Sequence, residues 1–167
     1  RWAMVERGSA ATLARRHPLT VAGEPIGSFD LAVSCGSDPD NFDLRYVEHR
    51  RAGENLPLPD KIKGVSLRAG RTETTLKVSS SERRDGGELV SYAAGSVPAA
   101  LIRNFAGLGN HSMVVETTSH GTVTVIRIGN TGAQKNLPQL VAGCAVKPLG
   151  ERAEAAPVRK TGGMAAR

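Results

Sequence analysis

Hydrophobic and polar residues alternate most regularly along two neighbouring stretches of the chain, residues 28–35 and 42–46. In the first stretch every second side chain is apolar or a cysteine: Phe29, Leu31, Val33 and Cys35. In the second, the same period of two sets Phe42, Leu44 and Tyr46 apart from their polar neighbours. Such alternation is typical of a strand with one buried face. Residues 36–41, GSDPDN, consist mostly of turn formers, so the pattern predicts a hairpin.

The remaining strands follow from β-branched stretches separated by glycine and polar turns. We predict them at residues 2–6, 65–68, 72–79, 88–94, 113–118 and 122–128, and the last two form a hairpin across 119–121. Residues 11–14 fit a strand, but the segment 9–16 fits a short helix equally well. Residues 18–21 are extended, and 49–59 form a loop. The fold class is therefore mainly β, either β-sandwich-like or α+β, with antiparallel strands and one or two short helices.

The first predicted helix covers about 96–107. Ser96 is placed to cap it, and Pro98 is tolerated in its first turn. Helical spacing gives it a buried stripe that consists of Leu101, Ile102, Phe105 and Leu108. Gly107 and Gly109 are expected to end it.

A second helix is predicted near the end of the patterned region, at about 136–143. Thr131 and Gln134 have the spacing of a capping box, but a helix begun there carries Pro138 deep in its body, where proline removes a hydrogen bond. A cap at Asn136 holds Pro138 in the first turn instead. We therefore expect a loose turn from residue 130, followed by a helix that Gly143 ends.

Composition indicates one folded domain with a tail. A chain of 167 residues can bury a sizeable core, and we place a single β-rich domain at 1–146. Residues 147–167 contain alanine, proline, glycine and charge without periodicity, which favours a tail or linker. No apolar run approaches the roughly 20 residues of a membrane span. No signal peptide is visible, and because the chain opens at Arg1 we expect a mature product or a piece of something larger.

The two cysteines, Cys35 and Cys144, lie too far apart in sequence for a CxxC redox motif or a zinc finger. Two interpretations remain open: buried free thiols in a cytosolic domain, or one disulfide in an oxidising compartment. Each cysteine falls on a predicted core-facing position, and this favours the disulfide. A disulfide across so long a loop contributes about 4 to 5 kcal/mol in the chain-entropy model.

The net charge of +6 raises the possibility of nucleic-acid binding, but the arrangement of the charge argues against it. Five basic residues lie in the tail, where they are candidate contacts: Lys147, Arg152, Arg159, Lys160 and Arg167. The pairs 15–16, 50–51 and 83–84 fall at predicted turns or strand ends, where charge is normally solvated. They form no basic stripe with interleaved aromatics, so nucleic acid is an unlikely partner.

Candidate chemistry is sparse. Asp38 and Asp40 flank a proline without the further oxygen ligands of a calcium loop, so we interpret 38–41 as a turn capped by Asp side chains. The histidines share no metal-ligand spacing: His17, His49, His111 and His120. There is no GxSxG motif, since residues 79–81 are predicted to be a serine-rich turn, and 107–110 is a helix stop rather than a phosphate loop. We expect no catalytic residue, cofactor or metal site, and hence no enzyme.

The order of these features resembles periplasmic accessory proteins of type VI secretion systems. It is also similar to the invasion-associated locus B family of exported alphaproteobacterial proteins. The matching positions are Trp2, 29–35, 65–70, 97–105, Thr131, Gly132, Leu137, Leu140 and Cys144. The resemblance implies an exported β-rich domain with a non-enzymatic role, and it supplies no catalytic residues.

Two functional hypotheses follow. The first is a non-catalytic structural or protein-interaction module of the bacterial cell envelope, periplasmic or otherwise extracytoplasmic, with a protein partner. The second is a cytosolic or membrane-surface module whose basic tail contacts nucleic acid or anionic lipid. Salt-dependent binding that is lost with the tail distinguishes the second from the first.

Overall fold

The fold is built on antiparallel strands. The computed structural model describes residues 1–7, 10–119 and 122–145. Within them, the strands are β1 (Ala3–Arg7), β2 (Ala10–Val21), β3 (Glu24–Cys35), β4 (Asn41–Arg50), β5 (Ile62–Ala69), β6 (Thr72–Arg83), β7 (Leu89–Pro98), β8 (Ser112–Ser119) and β9 (Thr122–Gly129). The helices are α1 (Ala99–Phe105) and α2 (Ala133–Ala145), and a short 3-10 turn covers Asp85–Gly87.

The strands form one sheet in the order β1-β2-β3-β4-β7-β6-β5-β8-β9, with antiparallel pairing between neighbours. The sheet curls, so that its two ends approach each other beside Trp2. The Trp2 backbone N donates to the Thr131 carbonyl at 2.9 Å, and its indole Nε1 donates to the Gly129 carbonyl at 3.0 Å. One hydrophobic core lies inside the curl. The predicted class, mainly antiparallel β with one or two short helices, is confirmed, and there are two helices among the described residues.

The hairpin predicted from the alternating stretches is confirmed as β3 and β4. Phe29, Leu31 and Val33 are buried, as their period of two requires. Asp38 caps the turn: one of its oxygens, Oδ1, accepts hydrogen bonds from the backbone N of Asp40 at 2.8 Å and from Asn41 Nδ2 at 3.1 Å.

Several strands are longer than predicted. β4 continues to Arg50, so residue 49 is too early a start for the loop predicted at 49–59. β2 is a strand of 12 residues, and the helix considered for 9–16 is wrong. β6 continues to Arg83, which places residues 79–81 in a strand rather than in a serine-rich turn. Pairing with neighbouring strands on both sides of β2 and β6 supplies hydrogen bonds that local sequence preference does not reveal.

The first helix begins later than predicted. Ser96 and Pro98 belong to β7, where Pro98 pairs with Asn41 of β4, and Ser96 does not cap α1. The extended backbone of Pro98, with ψ of 135°, continues the strand up to the helix. The buried stripe is correct for Leu101, Ile102 and Phe105. The prediction that Leu108 belongs to this stripe is wrong, because Leu108 lies beyond the end of α1 and is 91% exposed.

The second helix begins at Ala133, three residues before the predicted cap, and Pro138 lies inside it. Asn136 is therefore not a cap. Its Nδ2 donates to the carbonyls of Gly132 at 2.9 Å and Trp2 at 3.2 Å. Gln134 does not complete a capping box either: its Nε2 bonds to the carbonyl of Gly107 at 2.6 Å. These contacts, with burial of the helix's apolar face, offset the hydrogen bond that proline removes.

Gly132 makes the turn into α2 possible. Its φ is +90°, and a Cβ there would lie 2.3 Å from the Trp2 carbonyl oxygen. Gly132→Ala is therefore expected to lower the free energy of unfolding by about 1 to 3 kcal/mol, measured by denaturant unfolding. The matched control is Gly143→Ala in the same helix, where a Cβ meets nothing within 4 Å and should be neutral or stabilising. Equal effects of the two substitutions would contradict this account.

Candidate functional site

A disulfide joins Cys35 at the end of β3 to Cys144 near the end of α2, with Cα atoms 5.5 Å apart. Helix α2 lies against β1, β2 and β3, and this packing brings the second cysteine to the first. The structure thus contains the disulfide that the sequence favours over free thiols. Both cysteines are half-buried rather than fully inward-facing.

A cleft of about 320 Å³ lies beside this disulfide. Its walls come from the turn after β3 and from α1 and α2, and its polar side chains include Asp38 and Arg103. The carboxylate of Asp38 is already bonded to Asp40 and Asn41. That carboxylate therefore stabilises the turn, and the lining residues that the structure describes include no hydrogen-bonded pair of a nucleophile and a base.

A buried polar cluster lies on the inner face of β4. Tyr46, Glu48 and Arg50 occupy alternate positions, so all three point into the curl of the sheet, where Glu48 is fully buried. The Tyr46 hydroxyl donates a hydrogen bond to Glu48 Oε1. Arg50 Nη2 lies 3.0 Å from the same oxygen and 3.5 Å from Thr117 Oγ1 on β8.

Burial decides the charge state of this cluster. Desolvation, followed by the neighbouring Glu48 carboxylate, raises the pKa of Tyr46 well above its usual value, so the phenol stays neutral and donates. The ion pair between Glu48 and Arg50 compensates the two buried charges. Two further buried atoms, Glu48 Oε2 and Arg50 Nε, have no hydrogen-bond partner among the described residues.

This cluster corrects one sequence interpretation. Arg50 was expected to be solvated at a strand end, but it is buried and paired. Extending the period of two beyond Tyr46 puts Glu48 and Arg50 on the core face, so the sequence pattern already indicated that both side chains are buried. Arg16 lies in the middle of β2, not at a strand end, although it is solvated as expected and pairs with Asp30 at 3.0 Å.

The two edge strands of the sheet differ in character. Strand β1 is short and ends in the charged residues Glu6 and Arg7. Strand β9 has no charged residue before Arg127, and on it Val123 and Val125 are 58% and 59% exposed. Proteins normally protect sheet edges with charge, proline or short length. Strand β9 has little of this protection.

A second cleft, of about 150 Å³, lies on the inner side of β9. Thr122 and Thr124 of β9 face the segment 56–60 across it, and Arg50 also lines it. Thr124 pairs with Thr117 of β8, the residue that Arg50 contacts. The buried arginine therefore contacts the strand next to the edge strand.

The histidines of the described chain are dispersed. His17 stacks on Phe29, His49 lies 3.7 Å from Glu88, and His111 bonds to the Leu108 carbonyl. Among the residues that the structure describes, no three potential metal ligands come together. His120 and the five tail residues Lys147, Arg152, Arg159, Lys160 and Arg167 lie outside the described residues, so tail binding stays a prediction. Neither helix of the described chain has the length and apolar character needed to cross a membrane.

Comparison with known proteins gives one structural likeness to report. No protein-family model and no curated protein sequence matches the chain. The crystal structure of invasion associated protein B from Bartonella henselae is similar to it, with a TM-score of 0.54, over 84% of this chain and 92% of that one. The sequences are 10% identical, so the likeness is one of fold.

Proposed function

We propose that this protein is a non-catalytic protein-interaction module of the bacterial cell envelope, working in an oxidising compartment. The disulfide between Cys35 and Cys144 carries the proposal, because such bonds persist in exported proteins and are rare in the reducing cytosol.

The fold supports the same proposal. Invasion associated protein B shares the architecture at low sequence identity, in agreement with one of the two families that the order of sequence features resembles. The likeness to accessory proteins of type VI secretion systems rests on the sequence features alone. An association with invasion or secretion is therefore the finer part of the proposal.

The arrangement of polar groups supports a binding role over catalysis. The most deeply buried polar cluster pairs its own charges, with Glu48 accepting from Tyr46 and Arg50. Strand β9, by contrast, is an edge strand of the described sheet and exposes two valines on its outer face. Edges of this kind are used for protein contacts.

The test measures redox state and location together. Protein recovered from its native cells under rapid alkylation is expected to show no free thiol, and two after reduction, by intact mass spectrometry. Cell fractionation is expected to place it outside the cytoplasm. A Cys35→Ala/Cys144→Ala variant, alkylated after reduction, gives the zero-thiol reference. Two alkylated thiols in the unreduced native protein would overturn the proposal.

A further inference from the structure

Strand β9 has the features of a site for strand addition. Among the described residues its neighbour in the sheet is β8 alone, so the other side of its backbone pairs with no other strand there. Toward the opposite end of the sheet, the hydrogen bonds between described residues reach β9 at Gly129, whose carbonyl accepts from Trp2 and Arg15. Thr122 and Thr124 lie beside the smaller cleft.

The cleft defines which side chain an added strand would insert. In a paired strand alternate side chains point to the inner face, so a residue opposite Thr124 would enter the cleft. Val21, Ile26 and Leu56 give that cleft an apolar wall. Arg50, which lines it and is 5% exposed, places a guanidinium at its inner end.

Arg50 retains capacity to bind a second carboxylate. Its hydrogen bonds within the described chain both leave from Nη2, to Glu48 and Thr117, and none leaves from Nη1 there. A guanidinium has five N–H donors. Among the described lining residues the cleft has two arginines, Arg50 and Arg51, against one acidic residue, Asp60. Glu48, which pairs with Arg50, is fully buried and does not line the cleft.

We propose that β9 binds an extended peptide segment of a partner protein as an additional strand, and that an aspartate or glutamate side chain of this segment enters the cleft and pairs with Arg50. Main-chain hydrogen bonds to β9 supply affinity, and the carboxylate in the cleft supplies specificity. This inference rests on the proposed interaction function and names the partner's chemistry.

The experiment selects ligands from a random octapeptide library displayed on phage. Enriched peptides are synthesised with acetylated and amidated ends, so that no terminal carboxylate is present, and binding is measured by fluorescence anisotropy. We expect alternating β-branched residues around one acidic residue. Replacing that residue with its amide should weaken binding about tenfold or more. Alternate peptide bonds can be N-methylated in two registers. N-methylation in the register whose N–H groups face β9 should abolish binding, and N-methylation in the other register should not.

Nuclear magnetic resonance locates the site without mutation. Peptide binding is expected to shift the amide signals of 122–127 and the Nε–H signal of Arg50. Val125→Lys should weaken binding severalfold, whereas the matched substitution on the other edge, Val5→Lys, should not. The inference is overturned if no peptide is enriched, if N-methylation leaves binding unchanged in both registers, or if the shifts avoid β9 and Arg50. The thiol and fractionation test stands apart from all three outcomes.

Discussion

The Cys35→Ala/Cys144→Ala variant is expected to lose about 4 to 5 kcal/mol of unfolding free energy, because the bond closes a loop with a sequence separation of 109 residues. The bond acts by restricting the unfolded chain. Single domains are stable by only about 5 to 15 kcal/mol in total, so the loss removes a large share of that stability. Urea unfolding monitored by the fluorescence of Trp2 measures the effect.

Reduced wild-type protein is the matched control for this variant. It lacks the bond but keeps both sulfur atoms, so its unfolding midpoint should fall with that of the double alanine variant. A loss below about 1 kcal/mol in both would mean that residual structure or native strain cancels the entropy of loop closure, and would contradict the prediction.

The second large effect concerns the buried pair Glu48 and Arg50. Glu48→Leu leaves Arg50 charged and unpaired in the interior, and Arg50→Met does the same to Glu48. Each single substitution is expected to cost about 3 to 5 kcal/mol, whereas the double substitution should cost far less than their sum. Adding Tyr46→Phe to the double variant removes a phenol that has lost its hydrogen-bond acceptor. This should recover part of the unfolding free energy that the double variant has lost.

A double-mutant cycle by chemical denaturation measures this coupling. The exposed pair Arg16 and Asp30, with N–O distances of 3.0 and 3.1 Å, is the matched control, and its coupling should stay below about 1 kcal/mol. If the Glu48 and Arg50 substitutions prove additive, the two charges do not depend on each other and the buried-pair interpretation is wrong.

Local periodicity predicted most of the sheet because one face of each strand meets the core. The stretch 28–35 shows this directly, since its alternate apolar side chains are buried. Strand ends were harder to predict: at Glu48 and Arg50 the period continues while the residue type changes from apolar to charged. An ion pair permits that change, and pairing between side chains two residues apart is visible only once the strand is known.

Contacts distant in sequence explain the remaining differences. The side chain of Asn136 bonds to the carbonyl of Trp2, 134 positions away, and this helps α2 start before Pro138. The smaller cleft likewise exists because β9 lies opposite the segment 56–60. No local pattern records such a meeting of elements, so neither the open edge nor its neighbouring arginine was among the predicted site residues.

The covalent link between β3 and α2 also determines how a mechanical load passes through the molecule. When the chain is pulled between its N-terminal end and the backbone after Cys144, the disulfide transmits the force directly between Cys144 and Cys35. The covalent chain between the two cysteines, from the turn after β3 to the end of α2, is then bypassed. The strain falls on β1, β2 and β3. Strand β9 lies within the bypassed region, and it meets the loaded part of the chain through the hydrogen bonds from Trp2 and Arg15 to its Gly129 carbonyl.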